Sequence, residues 1–247
     1  MSAARAGSRA PGFDPTCAVL ADLDGTLVDT VPDIAACLAR VFGELGLPPC
    51  PPARVRDWVG DGAEMLVRRA LAAAAGDRAT EALIGRALDR WLTLYERNVC
   101  ELSRVYPGVR EGLEWMRAAG MTLACVTNKP ERHSERLLDE LGLRRYFSLV
   151  LGGDSLPRRK PDPLPLVHAA EHFGVDRAHA LLVGDSANDV RAARAAGMRV
   201  ICVSYGYNHG ADIREAGADA VIDSFTELPA LLANGEVARA PRPGRGG

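Results

Sequence analysis

Two aspartates separated by a single residue give the first indication of chemistry in this 247-residue chain. Asp22 and Asp24 follow the apolar run Ala18–Ala21, which is bounded by turn residues and predicts a short strand buried on both faces. Side chains alternate along an extended backbone, so both carboxylates should point to the same side. Two like charges so close destabilise each other unless a cation or a proton lies between them. The pair therefore predicts a divalent-metal site, whereas a simple Asp-Gly turn would need only one aspartate.

Three further polar residues lie next to predicted elements that could bring them to the same place. Thr127 follows the predicted strand 122–126, Asp185 follows the predicted strand 180–183, and Lys160 precedes a helix that starts with proline. Each residue alone is more often a helix cap, a turn residue or part of the solvated surface. The carboxyl ends of parallel strands, however, meet at one edge of the sheet, where open α/β sheets bind their ligands. The pattern therefore favours one site built from distant parts of the chain.

The segment Asp22–Thr30 resembles the first motif of the haloacid dehalogenase superfamily in its phosphatase form. Thr127, then Lys160 before a proline, then Asp185 with Asp189 four residues later match the second, third and fourth motifs of that superfamily in order. On these four motifs the chain is identified as a member of the superfamily. The resemblance implies an enzyme that hydrolyses phosphate esters.

The resemblance assigns the central chemistry to two of the aspartates. It implies that Asp22 attacks phosphorus and forms an aspartyl phosphate, and that Asp24 acts first as acid toward the leaving alkoxide and then as base toward water. A phosphate ester repels an attacking carboxylate, and Mg²⁺ removes that repulsion. Hard cations take oxygen ligands, which the side chains of Asp22 and Asp185 offer. By resemblance, the backbone carbonyl of Asp24 is a further ligand.

The remaining motif residues are expected to support the transferring phosphoryl group, whose charge needs hydrogen-bond donors and a cation. The Thr127 hydroxyl, the Asn128 backbone N–H and the Lys160 ammonium would supply them. Asp189 is expected to orient Lys160 or a metal-bound water. Ser186 is expected to cap a helix near the metal.

The alternation of short apolar strands with helices predicts an α/β fold, with a Rossmann-like parallel sheet as its core. This core domain is expected to comprise residues 16–29 and 106–233. Residues 30–105 show apolar positions at helical spacing and are expected to form an inserted helical cap domain, which resembles the cap of one branch of the superfamily. The segments 1–15 and 234–247 are rich in Pro, Gly and Arg, and each predicts a disordered tail.

Several local features resemble the phosphoglycolate phosphatases within this superfamily, most specifically the segments Val126–Pro130 and Tyr205–Asn208. That group hydrolyses 2-phosphoglycolate to glycolate and phosphate with Mg²⁺, so this reaction is the expected activity. Lys129 would suit the carboxylate of such a substrate. Gly60 and Gly62 lie in a loop of the predicted cap that either reaches toward the site or forms a plain interhelical turn.

Several alternatives stay open at this point. The same motifs occur in relatives that act on sugar phosphates, such as N-acetylmuramic acid 6-phosphate, or on pyrophosphate. A phosphomutase is disfavoured because nothing in the sequence marks protection of the aspartyl phosphate from water. A dehalogenase would require neither Asp24 nor Asp185. A catalytically inactive phosphate-binding module would be expected to lack Asp22, Asp24 or Lys160, all of which are present.

Composition restricts the partners and the location. The formal net charge of −2 argues against electrostatic binding of nucleic acid, and no apolar run approaches a membrane span. The six cysteines show no metal-binding spacing, so a reducing cytoplasm is the expected location. The expected partner is a small phosphorylated metabolite, and the chain is expected to be a monomer or a homodimer. Only Lys129 and Lys160 among the 30 basic residues are lysines, which suggests that each must be a compact point charge.

Overall fold

The computed structural model describes residues 18–234. Its strands are β1 (Ala18–Ala21), β2 (Val28–Asp29), β3 (Arg104–Val105), β4 (Thr122–Val126), β5 (Leu149–Leu151), β6 (Ala180–Gly184), β7 (Arg199–Val203) and β8 (Ala220–Ile222). Six of them form one parallel sheet in the order β5-β4-β1-β6-β7-β8. β1 pairs with both β4 and β6, so the ends of these three strands lie side by side at one edge of the sheet.

Helices cover the sheet and also form a separate group. They are α1 (Val31–Glu44), α2 (Pro52–Arg56), α3 (Ala63–Ala75), α4 (Glu81–Arg97), α5 (Val109–Ala118), α6 (Glu131–Glu140), α7 (Leu164–Phe173), α8 (Ala187–Ala196) and α9 (Leu228–Asn234). From β4 to β7, strands and α-helices alternate along the chain, as parallel pairing requires, and a short 3-10 helix, Ile213–Ala216, lies between β7 and β8.

The central strand β1 is buried on both faces, as its uninterrupted apolar run predicts. Val19 and Ala21 belong to the apolar cluster on one face, and Ala18 and Leu20 belong to the cluster on the other. This alternation follows from the two-residue period of a strand. The predicted α/β class with a Rossmann-like parallel sheet is confirmed.

Helices α1 to α4 form a helical insertion between β2 and β3. β2 and β3 pair antiparallel, with Val28 opposite Val105, and they connect the insertion to the sheet. Asp33 in the first turn of α1 strengthens this connection, since its carboxylate accepts hydrogen bonds from the backbone N–H of Leu102 (2.9 Å) and of Ser103 (2.7 Å). The outgoing and returning chains are therefore fixed to each other at the base of the insertion.

The predicted tail 1–15 lies outside the described residues, and so does the predicted tail 234–247 beyond Asn234. The predicted domain boundaries stay a prediction. Within residues 18–234, no helix combines the length and the apolar character needed to cross a membrane.

Candidate active site

A tight turn after β1 holds the two aspartates at the edge of the sheet. The Asp22 N–H donates to the Val183 carbonyl oxygen in β6 (2.9 Å), so the backbone still follows the sheet at this residue. Gly25, with φ of +86°, then reverses the chain, and its N–H donates to the Val28 carbonyl oxygen (2.9 Å). Glycine adopts this left-handed conformation at little cost. A Cβ at Gly25 would also overlap the carboxylate of Asp185, so the turn and the site require the same residue.

Lys160 is buried beside Asp22 and is held by three oxygens. Its Nζ lies 2.9 Å from Oδ1 of Asp22 and 2.7 Å from Oδ1 of Asp189, and it donates to the Val126 carbonyl oxygen at 2.7 Å. Burial alone would lower the pKa of Lys160, but the carboxylates of Asp189 and Asp22 outweigh it and raise the pKa above its usual value. Lys160 is therefore a fixed positive charge next to the proposed nucleophile.

Asp185 follows β6 and faces Asp22 across the sheet edge. Its Oδ2 accepts a hydrogen bond from the Tyr207 backbone N–H, and its Oδ1 accepts one from the Thr26 hydroxyl (3.3 Å). Burial raises the pKa of Asp185 well above its usual value, and the charges of Asp22 and Asp189 raise it further. Burial likewise raises the pKa of Asp22 to about 6, against the opposing charge of Lys160. Both shifts indicate negative charge that lacks sufficient compensation from the protein.

Both carboxylate oxygens of Asp189 accept hydrogen bonds from other groups of the protein. Oδ1 contacts Lys160, while Oδ2 accepts from the Ser186 backbone N–H (3.1 Å) and hydroxyl (2.7 Å). Ser186 is the N-cap of α8, and the two residues form a reciprocal capping box. The start of α8 thereby fixes the ammonium of Lys160.

Thr127 and Asn128 follow β4 on the other side of β1. The Thr127 N–H donates to the Leu151 carbonyl oxygen (2.9 Å), which keeps the residue at the end of the sheet. The Asn128 side-chain amide donates to the carbonyl oxygens of Gly60 and Lys160, both at 2.8 Å. Asn128 thus joins the loop of the insertion to the loop that carries Lys160.

Lys129 is buried and contacts both Asp24 and the helical insertion. Its Nζ lies 3.0 and 3.2 Å from the two carboxylate oxygens of Asp24 and 2.7 Å from the hydroxyl oxygen of Tyr95 in α4. The ammonium also lies 4.5 Å from the centre of the Tyr95 ring, which stacks on Trp91 with ring centres 4.6 Å apart. The sequence analysis did not identify Tyr95 or Trp91. Their spacing of four residues, which places them on one face of a helix, is the signal that could have found them.

The loop between α2 and α3 approaches the sheet edge through Gly60 and Gly62. Both glycines have positive φ values, +124° and +87°. Between them, Asp61 accepts a hydrogen bond from the Asn188 side-chain amide in α8 (2.6 Å) and pairs with Arg69 in α3. Asp61 and Asn188 were also not identified from the sequence, because each occupies a position that its motif leaves unspecified.

A cavity that is open to solvent on one side separates the insertion from the sheet edge. The sheet side supplies polar groups, and the insertion supplies mainly apolar ones. The lining residues that belong to the sheet side are Asp22, Asp24, Thr127, Asn128, Lys129 and Pro130. Those from the insertion are Ile34, Val59, Gly60, Gly62, Ala63, Leu66 and Trp91. The predicted nucleophile and acid therefore face a cavity that is partly enclosed by the insertion.

The acidic groups that cluster around Asp22 at the sheet edge fit a hard divalent cation. Oxygens of Asp22, Asp185 and Asp189 lie within 4.8 Å of one another. Asp189 is already paired with the Lys160 ammonium and with Ser186, whereas Asp185 accepts only from the neutral donors Thr26 and Tyr207. The carboxylates of Asp22 and Asp185 are therefore the better candidates. Oδ1 of Asp22 is buried without a hydrogen bond of good geometry, and the Lys160 ammonium 2.9 Å away compensates only part of its charge, because the pKa of Asp22 is still raised.

Known proteins resemble this chain both in sequence and in structure. Residues 19–203 match the model of the haloacid dehalogenase-like hydrolase family. A protein from Nitrosococcus oceani named phosphoglycolate phosphatase is 48% identical over 214 residues, which cover 87% of this chain and 95% of that protein. A protein of the same name from Nitrosospira multiformis is 46% identical over 218 residues, covering 88% and 96%. The crystal structure of a predicted phosphoglycolate phosphatase from Haemophilus somnus matches with a TM-score of 0.85 and 36% identity, covering 89% of this chain and 99% of that one.

The matched region 19–203 extends from β1 to β7. It contains each of the motif residues that the structure brings together at the sheet edge. The resemblance to the haloacid dehalogenase superfamily is thereby confirmed. The chain belongs to the family of haloacid dehalogenase-like hydrolases.

Proposed function

We propose that this enzyme is a Mg²⁺-dependent phosphatase that hydrolyses 2-phosphoglycolate to glycolate and phosphate through an aspartyl phosphate on Asp22. The observation that carries the proposal is the buried group of Asp22, Asp185 and Lys160 at the sheet edge, where Asp22 lines the cavity. The relatives named phosphoglycolate phosphatase, at 48% and 46% identity, support the choice of substrate.

In the first step, Asp22 attacks phosphorus, and the bond between phosphorus and the leaving oxygen breaks. Asp24 transfers its proton to that oxygen, so glycolate leaves with a hydroxyl group. The positive charge of Lys160 and hydrogen bonds from the Thr127 hydroxyl and the Asn128 backbone N–H stabilise the negative charge on the phosphoryl oxygens. Bound Mg²⁺, held by the carboxylates of Asp22 and Asp185 and the carbonyl of Asp24, would reduce the repulsion between nucleophile and substrate.

In the second step, Asp24 accepts a proton from a water molecule as the water oxygen bonds to phosphorus. The bond between phosphorus and the Asp22 carboxylate oxygen breaks, which releases phosphate and restores Asp22. The apolar wall of the insertion, including Leu66 and Trp91, limits the access of other water molecules.

A substrate panel tests the choice of ester. We expect kcat/KM to be highest for 2-phosphoglycolate and at least about tenfold lower for glucose 6-phosphate, N-acetylmuramic acid 6-phosphate and pyrophosphate. Activity should disappear with EDTA and return with Mg²⁺. An Asp22→Asn variant, which lacks the nucleophile, is the control for contaminating phosphatases. A sugar phosphate or pyrophosphate ranking above 2-phosphoglycolate would refute this substrate assignment.

We further infer that the enzyme works in a reducing compartment such as the cytoplasm. The cysteines in the described residues, Cys37, Cys50, Cys100, Cys125 and Cys202, are all free thiols. Free thiols persist where the compartment keeps them reduced. Fractionation of the source cells, with activity measured in each fraction, tests the location.

A further inference from the structure

We propose that Lys129 is the specificity-determining residue of this site, and that its ammonium binds a carboxylate carried by the leaving group of the substrate. The inference rests on the proposed phosphatase function and adds a residue that selects among phosphate esters. It concerns the part of the cavity that faces the insertion, away from the phosphoryl group.

The position of Lys129 in the cavity is the first argument. Among the described residues that line the cavity, Lys129 is the sole cation. Lys160 cannot take this role, because Asp22, Asp189 and a backbone carbonyl already surround its ammonium. A leaving group that extends from Asp22 toward the insertion therefore meets one positive charge in the lining, while the Arg159 guanidinium lies against Gly62 outside that lining.

The surroundings of Lys129 favour an anion over a neutral group. Ile34, Leu66 and Trp91 supply an apolar wall that offers few partners to sugar hydroxyls, and a hydroxyl buried without a partner is costly. Asp22 and Asp24 would repel a carboxylate throughout the cavity, and only next to Lys129 does an ammonium offset that repulsion. A carboxylate is therefore accommodated next to Lys129 and disfavoured elsewhere.

The ammonium is also held in place before any substrate arrives. Tyr95 accepts one hydrogen bond from Nζ at 2.7 Å, its ring centre lies 4.5 Å from Nζ, and Trp91 stacks on that ring. The two oxygens of Asp24, at 3.0 and 3.2 Å, lie close enough together to share one N–H. An ammonium group has three N–H donors, so one can turn toward the substrate. A cation that is already oriented loses little entropy when the substrate binds.

The test compares two esters that differ mainly in the carboxylate, 2-phosphoglycolate and ethyl phosphate. We expect the wild-type enzyme to prefer 2-phosphoglycolate by about 10- to 150-fold in kcat/KM, since charged hydrogen bonds contribute about 1.5–3 kcal/mol. In Lys129→Met this preference should fall at least tenfold, mainly through a higher KM for 2-phosphoglycolate. Both activities will decrease because the variant also removes a partner of Asp24, so the ratio is the decisive quantity.

A milder variant keeps the test valid if Lys129→Met does not fold. Tyr95→Phe retains the ring and removes only the hydroxyl that orients Nζ, and it should lower the preference several-fold. Thermal unfolding of each variant checks that the fold is intact.

The results distinguish a failure of the inference about Lys129 from a failure of the proposed function. If the wild type prefers 2-phosphoglycolate but Lys129→Met or Tyr95→Phe lowers both activities equally, Lys129 merely supports Asp24, and the inference is overturned while the proposed function stands. If the wild type shows no preference for the carboxylate-bearing ester, the proposed function fails together with the inference.

Discussion

The side-chain amide of Asn188 donates a hydrogen bond to Oδ1 of Asp61 at 2.6 Å, which joins the first turn of α8 to the insertion loop above the cavity. The same carboxylate pairs with Arg69 in α3, and the His209 ring lies 3.8 Å away. Arg69 and Asn188 lower the pKa of Asp61, although burial opposes them. Asp61 is therefore a charged contact between the two parts of the molecule that enclose the cavity.

Removing this contact should weaken substrate binding. We expect Asp61→Ala to raise KM for 2-phosphoglycolate about tenfold, because a hydrogen bond to a charged group contributes about 1.5–3 kcal/mol to the closed arrangement. The change in kcat should be smaller, since Asp61 does not contact the reacting atoms. Steady-state kinetics of Asp61→Ala and of the control Asp77→Ala, an exposed position of the same insertion, measure the effect. Equal KM values for both variants would contradict this role.

Replacing Asp24 should affect substrates according to their leaving groups. We expect Asp24→Asn to lower kcat for 2-phosphoglycolate by roughly 10²–10⁴-fold, the usual contribution of general acid–base catalysis. The aspartyl phosphate should still form from p-nitrophenyl phosphate, whose leaving group needs no proton. Rapid-quench measurement of phosphoenzyme formation with both esters tests this. A loss of the same size in both first steps would mean that Asp24 is not the acid.

Replacing Asp185 should weaken Mg²⁺ binding without destabilising the metal-free protein. In the metal-free protein, burial and the neighbouring carboxylates of Asp22 and Asp189 make the Asp185 charge destabilising. We therefore expect Asp185→Asn to unfold in EDTA at the same temperature as the wild type or higher, and to need at least about tenfold more Mg²⁺ for half-maximal activity. Mg²⁺ should raise the Tm of the wild type but hardly that of the variant.

Asp189→Asn is the matched control for that experiment. Because Asp189 binds Lys160 and Ser186, its replacement should lower Tm both with Mg²⁺ and with EDTA. An equal gain of Tm from Mg²⁺ in the wild type and in Asp185→Asn would exclude Asp185 as a metal ligand.

His133 should make the fold sensitive to acid. Burial lowers the pKa of His133 from its ordinary value of 6.5 to about 4, and the charges of Lys129 and Arg132 lower it further. The unfolded chain therefore binds a proton between pH 6.5 and 4 that the folded protein does not bind, so stability falls as the pH falls through this range. We expect a loss of about 2 kcal/mol after solvent screening is allowed for.

Urea unfolding at several pH values measures this loss. His133→Phe keeps the ring that packs edge-on against Tyr95 but cannot bind a proton, so its free energy of unfolding should fall less between pH 6.5 and 4. His172→Gln, at an exposed position, should lose as much free energy of unfolding between pH 6.5 and 4 as the wild type. If His133→Phe and the wild type lose stability equally, the sensitivity to acid has another source.

The sequence predicted those residues whose position depends on local chain structure. Apolar runs of four or five residues predict β1, β4 and β6. Asp22, Thr127 and Asp185 are the residues that directly follow these strands. Parallel pairing then brings these ends together whatever the length of the connecting chain.

The contacts across the cavity could not be predicted in this way. Lys129 and Tyr95 come from a loop and a helix whose relative position depends on how the insertion packs, and Asp61 and Asn188 are 127 positions apart. The paired strands β2 and β3 have two residues each, too few for any periodic pattern.

The sequence by itself therefore determined the sheet, its reactive edge and the groups expected to carry out the chemistry, because strand period and strand ends are local properties. Only the tertiary structure decided which side chains of the insertion face that edge. Their contacts depend on the orientation of one group of helices against the sheet, which no short segment encodes.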